Sequence, residues 1–212
     1  MSILLRAISL IIRVFVILLA ISVHEAAHGF AAYKLGDYTA KSMGRISINP
    51  LRHLDPMGAL CMLLFGFGWA QPVMVNPYNF KKPKRDMAIV SAAGPISNFI
   101  MAFIAIALFK LVAILHLPSN MLTEIIFMFL RSVALLNVGL GVFNLIPIPP
   151  LDGSKIFLPL LPNKLYYDIM RYERFGWLIL IIALALGVLD PILSGLRGAI
   201  INLFIFLVGG GI

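Results

Sequence analysis

Ile21-Ser22-Val23-His24-Glu25-Ala26-Ala27-His28-Gly29-Phe30-Ala31-Ala32 closes an apolar run that begins near Ile8 and is broken by little besides Arg13, Ser22 and the ionisable triplet itself. At 1.5 Å per residue, a helix over these positions is about 37 Å long, more than the roughly 30 Å of bilayer hydrocarbon. Histidines four residues apart fall one turn apart on one helical face, so both imidazoles can aim a nitrogen at a single metal ion. Glu25 lies beside them, where it can accept a proton from metal-bound water. Two imidazoles and a carboxylate are costly at membrane depth, and ionisable groups kept there serve a function by default. A chance match, with the histidines satisfied by neighbouring helices, would carry weight in a soluble helix and carries little in a span.

Composition points the same way. Of 212 residues, 61% are hydrophobic and 12% charged, and the mean hydropathy is +0.99. An ordinary soluble domain has about twice that charged fraction, so the chain reads as an integral membrane protein in contact with the lipid bilayer. The net charge of +8 sits in short clusters flanking apolar spans, as anchoring charges do, and argues against a nucleic-acid partner. A single cysteine, Cys61, excludes an intramolecular disulfide and a cysteine-rich metal site. The first apolar segment runs on through the histidines with no small-residue processing site before them, so it is expected to be a retained span.

Along the chain, helices are expected at about 8–33, 86–116 and 123–146, with further apolar segments at 175–189 and 191–209. The apolar run 57–68 is too short to span and leads into a stretch from Trp69 to Asn76 whose proline allows only an edge strand or extended loop. The expectation is an all-α polytopic membrane protein of about five transmembrane helices, with a re-entrant segment and a short strand or extended loop. Residues 1–212 read as one membrane domain, its core at about 8–160 and additional C-terminal helices at about 173–209.

Charge orients these spans. The connections 34–56, 77–86 and 148–174 hold twelve of the seventeen Lys and Arg residues, and the 117–122 turn holds none. The positive-inside rule makes the three basic connections cytoplasmic, which requires 57–68 to enter and leave on one face and to line a polar interior. The histidine pair, Ala93-Gly94-Pro95-Ile96-Ser97-Asn98 and Asp152 then converge on the cytoplasmic side. Two histidines leave a hydrolytic metal site one ligand short. Asp152 is the candidate third, because the other acidic residues sit in polar loops, beside basic residues or toward the opposite face.

These motifs occur in the order found in the site-2 proteases, and over roughly residues 15 to 160 the chain resembles that family of intramembrane zinc metalloproteases. It is similar to the short prokaryotic branch without a PDZ or CBS domain. The resemblance rests on His24-Glu25-Ala26-Ala27-His28, on the Ala93–Asn98 segment and on Asn144-Leu145-Ile146-Pro147-Ile148-Pro149-Pro150-Leu151-Asp152-Gly153; Gly66-Phe67-Gly68-Trp69-Ala70-Gln71-Pro72-Val73 resembles the short branch as well. It implies Zn2+ bound by His24, His28 and Asp152, with Glu25 as general base. Pro150-Leu151 stands where many relatives have Asn-Pro, a difference that bears on loop shape and leaves the ligand in place.

The implied activity is hydrolysis of peptide bonds within or next to transmembrane segments, in regulated intramembrane proteolysis. The implied setting is a multi-pass protein of a prokaryotic cell membrane with its active site toward the cytoplasm. The substrate is a transmembrane protein or peptide, which must unwind locally and can be received by strand addition at 69–76; the alternative is that this stretch only packs the re-entrant turn. Asn144 and Asn98 are candidates for substrate or oxyanion contact, or else glue between helices, as Asn137 is. Arg131 is expected to snorkel outward. A metal transporter would gain nothing from Glu25, and a catalytically dead adaptor would be expected to have lost a ligand or the base. Oligomeric state is not readable from the sequence.

Overall fold

The computed structural model describes residues 3–53, 55, 57 and 71–210. Apart from Met57, the expected re-entrant run 57–68 lies outside the described residues, as do Trp69 and Ala70 of the extended stretch. The long helices are α1 (Ile3–Lys34), α2 (Pro83–Ile114) and α3 (Met121–Asn144). After a proline-rich loop come α4 (Asp152–Phe157), α5 (Asn163–Arg171), α6 (Glu173–Ala185) and α7 (Asp190–Leu207).

Local chemistry sets the ends of these helices. Pro83 opens α2, where a missing N–H costs nothing, and the Asn120 side chain accepts the Thr123 N–H at 3.0 Å to cap α3. Pro95 lies more than three turns into α2, leaving the Ser91 carbonyl without its usual helical donor. Among the described residues, four helices, α1, α2, α3 and α7, are long and apolar enough to cross a membrane. The stretch expected as a further span over 175–189 forms the 13-residue α6, about 20 Å long and shorter than bilayer hydrocarbon.

Pairing runs antiparallel. His24 meets Asn98 and His28 meets the Val90 carbonyl, so α2 descends against α1. Asn98 meets Asn137 and the Phe109 ring lies 4.8 Å from Phe127, so α3 returns against α2. Lys110 donates to the Val208 and Gly210 carbonyls, which places the end of α7 beside the far end of α2. Ala102, Val138, Val142, Leu180 and Leu193 form one buried cluster, and Val16, Ala105, Val133 and Ala134 a second at the other end of the bundle.

No strand occurs among the described residues. Residues 71–76 run extended, and three of their N–H groups are taken by groups elsewhere in the chain. Gln71 N–H donates to the His53 carbonyl at 2.7 Å, Val73 N–H to Glu25 Oε2 at 2.7 Å and Asn76 N–H to Asp37 Oδ2 at 2.8 Å.

Asp37, read from the sequence as a polar loop residue, is fully buried and is the anchor of this region. Burial alone would raise its pKa. Hydrogen bonds from the Thr39 hydroxyl, the Asn76 N–H, the Asn79 amide and the Thr39 N–H outweigh it and hold the carboxyl below its ordinary value. A carboxylate depressed in the folded state adds stability that is fully present above its unfolded pKa of about 3.9 and is lost as pH falls through the folded value. Acidification below about pH 4 is therefore expected to loosen 71–79 from 37–40. Hydrogen exchange at the Asn76 amide should accelerate there, and Asp37→Asn should show fast exchange at every pH.

Candidate metal centre

α1 presents His24 and His28 on its buried face, 6% and 8% exposed, and α4 brings Asp152 to them from the far end of the chain. The two Nε2 atoms are 3.0 Å apart, and Asp152 Oδ2 lies 3.0 Å from one and 3.2 Å from the other. One donor atom from each of the three residues falls within a 4.8 Å cluster that could hold a metal ion.

The protons can be assigned from a single fixed acceptor. Asn137 Nδ2 donates to the Val133 carbonyl at 2.9 Å, which leaves Asn137 Oδ1 to accept from Asn98 Nδ2 at 2.8 Å. Asn98 must then turn its Oδ1 to His24 Nδ1, at 2.6 Å, and an oxygen there requires the proton on Nδ1. His28 Nδ1 faces the Val90 carbonyl at 2.8 Å and carries its proton for the same reason. Both Nε2 atoms are therefore bare lone pairs, aimed at one another and at a carboxylate. Asp152 Oδ2 is itself buried without a hydrogen-bond partner among the described residues. A single proton can bridge one pair of these atoms, whereas a divalent cation meets all three at once. The donor set, two imidazole nitrogens and one carboxylate, suits zinc with a position left open.

Two glycines make the geometry possible. A Cβ on Gly94 would lie 2.5 Å from both imidazole rings, so α2 passes the histidines only because this residue has no side chain. A Cβ on Gly153 would lie 2.3 Å from the Leu145 carbonyl oxygen, so Gly153 lets the Asp152 turn seat against the end of α3.

Glu25 is half-buried beside His24, its Oε2 held by the Val73 N–H. That N–H is thereby not free for the strand addition expected at 69–76. Asn98 is fully buried, with its side-chain amide engaged by His24 and Asn137. Asn144 is half-buried at the end of α3 and donates to the Leu140 carbonyl at 3.1 Å. The Val90 carbonyl and the Val73 N–H were missed, since backbone groups leave no mark in a sequence; Asn137 was visible only as a polar residue at matching depth.

If Asn98 fixes the His24 ring, its loss should be felt at the metal. Asn98→Ala is expected to weaken zinc binding by about 10–100-fold, the usual cost of removing a partner of a ligating histidine. Zinc titration against a competing chelator measures this, and Asn137→Ala should give a smaller change in the same direction.

Apolar helices that carry a HExxH pair and gather a carboxylate onto it put the chain among the multi-pass membrane metallopeptidases. Its relatives narrow that class. Residues 109–186, which include Asp152, match Peptidase family M50. The chain is 40% identical over 199 residues, 90% of each chain, to "Putative zinc metalloprotease YwhC" of Bacillus subtilis. An aligned stretch of that length takes in residues 24–152 wherever it begins. It is 27% identical over 172 residues to Rip2 of Mycolicibacterium smegmatis, covering 79% of this chain and 64% of that one. It is 29% identical over 153 residues to "Zinc metalloprotease MJ0392" of Methanocaldococcus jannaschii, covering 71% of this chain and 35% of the relative. No solved structure matches the chain. The chain belongs to peptidase family M50, the site-2 proteases, and is a zinc metallopeptidase of the membrane.

Proposed function

We propose that the protein cleaves peptide bonds within or next to transmembrane segments, with His24, His28 and Asp152 holding zinc and Glu25 as general base. The observation that carries this reading is the convergence of two deprotonated Nε2 atoms on an unpartnered carboxylate oxygen, on a helix that also bears Glu25 and is long enough to span a bilayer.

Zinc held by His24, His28 and Asp152 would polarise a carbonyl and lower the pKa of water. Glu25 takes the proton from the attacking water and returns it to the leaving amine, so that one water is added across the bond. The Val73 N–H holds one oxygen of Glu25 and leaves the other for the proton. Asn98 and Val90 keep the imidazole protons on the side away from the reaction, and Asn144 remains a candidate donor to the substrate carbonyl.

A shallow apolar groove of roughly 540 Å³, between Val23, Ala27 and Phe30 of α1 and the extended Ile46–Ile48, lies on the same helix and suits apolar substrate side chains. The basic connections support a site facing the cytoplasm of a prokaryotic cell. The role that follows is regulated intramembrane proteolysis.

Cleavage of a model transmembrane peptide by the purified protein in detergent tests the proposal. Hydrolysis should stop on chelation and return with zinc. A fully zinc-loaded protein that cleaves soluble peptides and leaves membrane peptides intact would overturn it.

A further inference from the structure

At the end of the bundle away from the metal centre, Arg13 of α1 and Arg131 of α3 line one cavity of roughly 680 Å³. Among the described residues neither guanidinium has an ion pair or hydrogen bond, and no acidic side chain lines the cavity. Ser9 and Ser132 also line it, but their hydroxyls donate to the Arg6 and Met128 carbonyls of their own helices. The cavity's charge is therefore that of the two arginines. Charged groups are costly at membrane depth, and two of one sign on a shared cavity also repel, so an anion is the complement this site lacks. Helical side chains lean toward the helix N-terminus. In both α1 and α3 that is the end away from the metal centre, so both guanidinia reach toward the same membrane face.

A second cavity, of roughly 240 Å³, adjoins the first and shares Phe109, Arg131 and Leu135 with it. The rest of its wall is apolar, with Ile106, Leu130 and Ala134 on one side and Ile201 and Ile205 of α7 on the other. A doubly cationic cavity that continues into a hydrocarbon-walled one matches an amphiphile with an anionic head. We propose that Arg13 and Arg131 bind the phosphate of an anionic phospholipid whose acyl chain lies in the adjoining apolar cavity. Arginine's planar fork suits phosphate oxygens. Inorganic phosphate would leave the apolar cavity unused, and a zwitterionic lipid would leave the charge uncompensated. The lipid ties α1 and α3 to α7, and the site is independent of the metal centre.

The full-length protein, delipidated in neutral detergent, is titrated with phosphatidylglycerol, phosphatidylcholine or inorganic phosphate and followed by native mass spectrometry and thermal unfolding. Wild type should retain one phosphatidylglycerol and melt at a higher temperature with it, with neither effect from phosphatidylcholine or phosphate. The R13Q/R131Q double variant should lose both retention and thermal shift while its zinc content is unchanged, and R13K/R131K should recover part of both. Equal retention of the two lipids, a thermal shift reproduced by phosphate alone, or wild-type retention by the double glutamine variant would each overturn the proposal. Should the double variant not fold, R13Q and R131Q are tested singly, and undiminished phosphatidylglycerol retention in both overturns it as well.

Discussion

Glu25→Gln is expected to lower peptide hydrolysis by about 10²–10⁴-fold, the usual contribution of a positioned general base, with zinc content unchanged. The substitution is nearly isosteric, and the Gln oxygen can still accept the Val73 N–H that Glu25 Oε2 accepts at 2.7 Å. The loop 71–76 should therefore stay where it is, and only the capacity to take a proton is lost. Metal analysis and a cleavage assay on the same preparation separate the two effects. Loss of zinc together with activity would make Glu25 a structural or ligating group and remove it from the chemistry.

Asp152→Ala should act on the metal itself. Asp152 Oδ2 sits 3.0 and 3.2 Å from the two Nε2 atoms and has no other partner among the described residues, so its removal leaves two imidazoles to hold the ion. Zinc affinity should fall by more than the ~10–100-fold that follows loss of a ligand's hydrogen-bond partner, and activity should fall with it. The stabilisation that zinc gives to thermal unfolding should shrink in proportion, because it scales with the logarithm of free metal over Kd. Asp152→Asn, which keeps a neutral oxygen at the same point, should fall between. Wild-type zinc occupancy at limiting metal in Asp152→Ala would exclude Asp152 from the ligand set.

The long helices were legible because their signals are local. Apolar runs place α1, α2 and α3 within a few residues of the expected bounds. The grouping of His24, His28 and Asp152 was legible from helical spacing and from the scarcity of acidic residues. The 175–189 segment misled because apolarity does not report length: Glu173–Ala185 is apolar enough for a span and about a third too short. The 71–76 stretch is extended, as expected. Pro72 excluded helix, but nothing in the residue types says that the N–H groups of Val73 and Asn76 are taken by Glu25 and Asp37, since such pairings join segments about 40 residues or more apart. Asp37 looked like a solvated loop residue for the same reason.

The order in which the centre is assembled has a consequence for biogenesis. His24 and His28 enter the bilayer with the first helix to be made, whereas Asn98 and the Val90 carbonyl arrive with the second, Asn137 with the third and Asp152 only after all three. On a growing chain the imidazoles first have no partners and then gain them one helix at a time, each arrival fixing a tautomer before the last donor is synthesised. If these three residues hold the metal as proposed, its capture is a late event in maturation, and a polypeptide arrested before its fourth long helix is translated already carries all three. What α7 adds is closure of the bundle at the opposite end, so the nascent protease acquires its chemistry before it acquires its final shape.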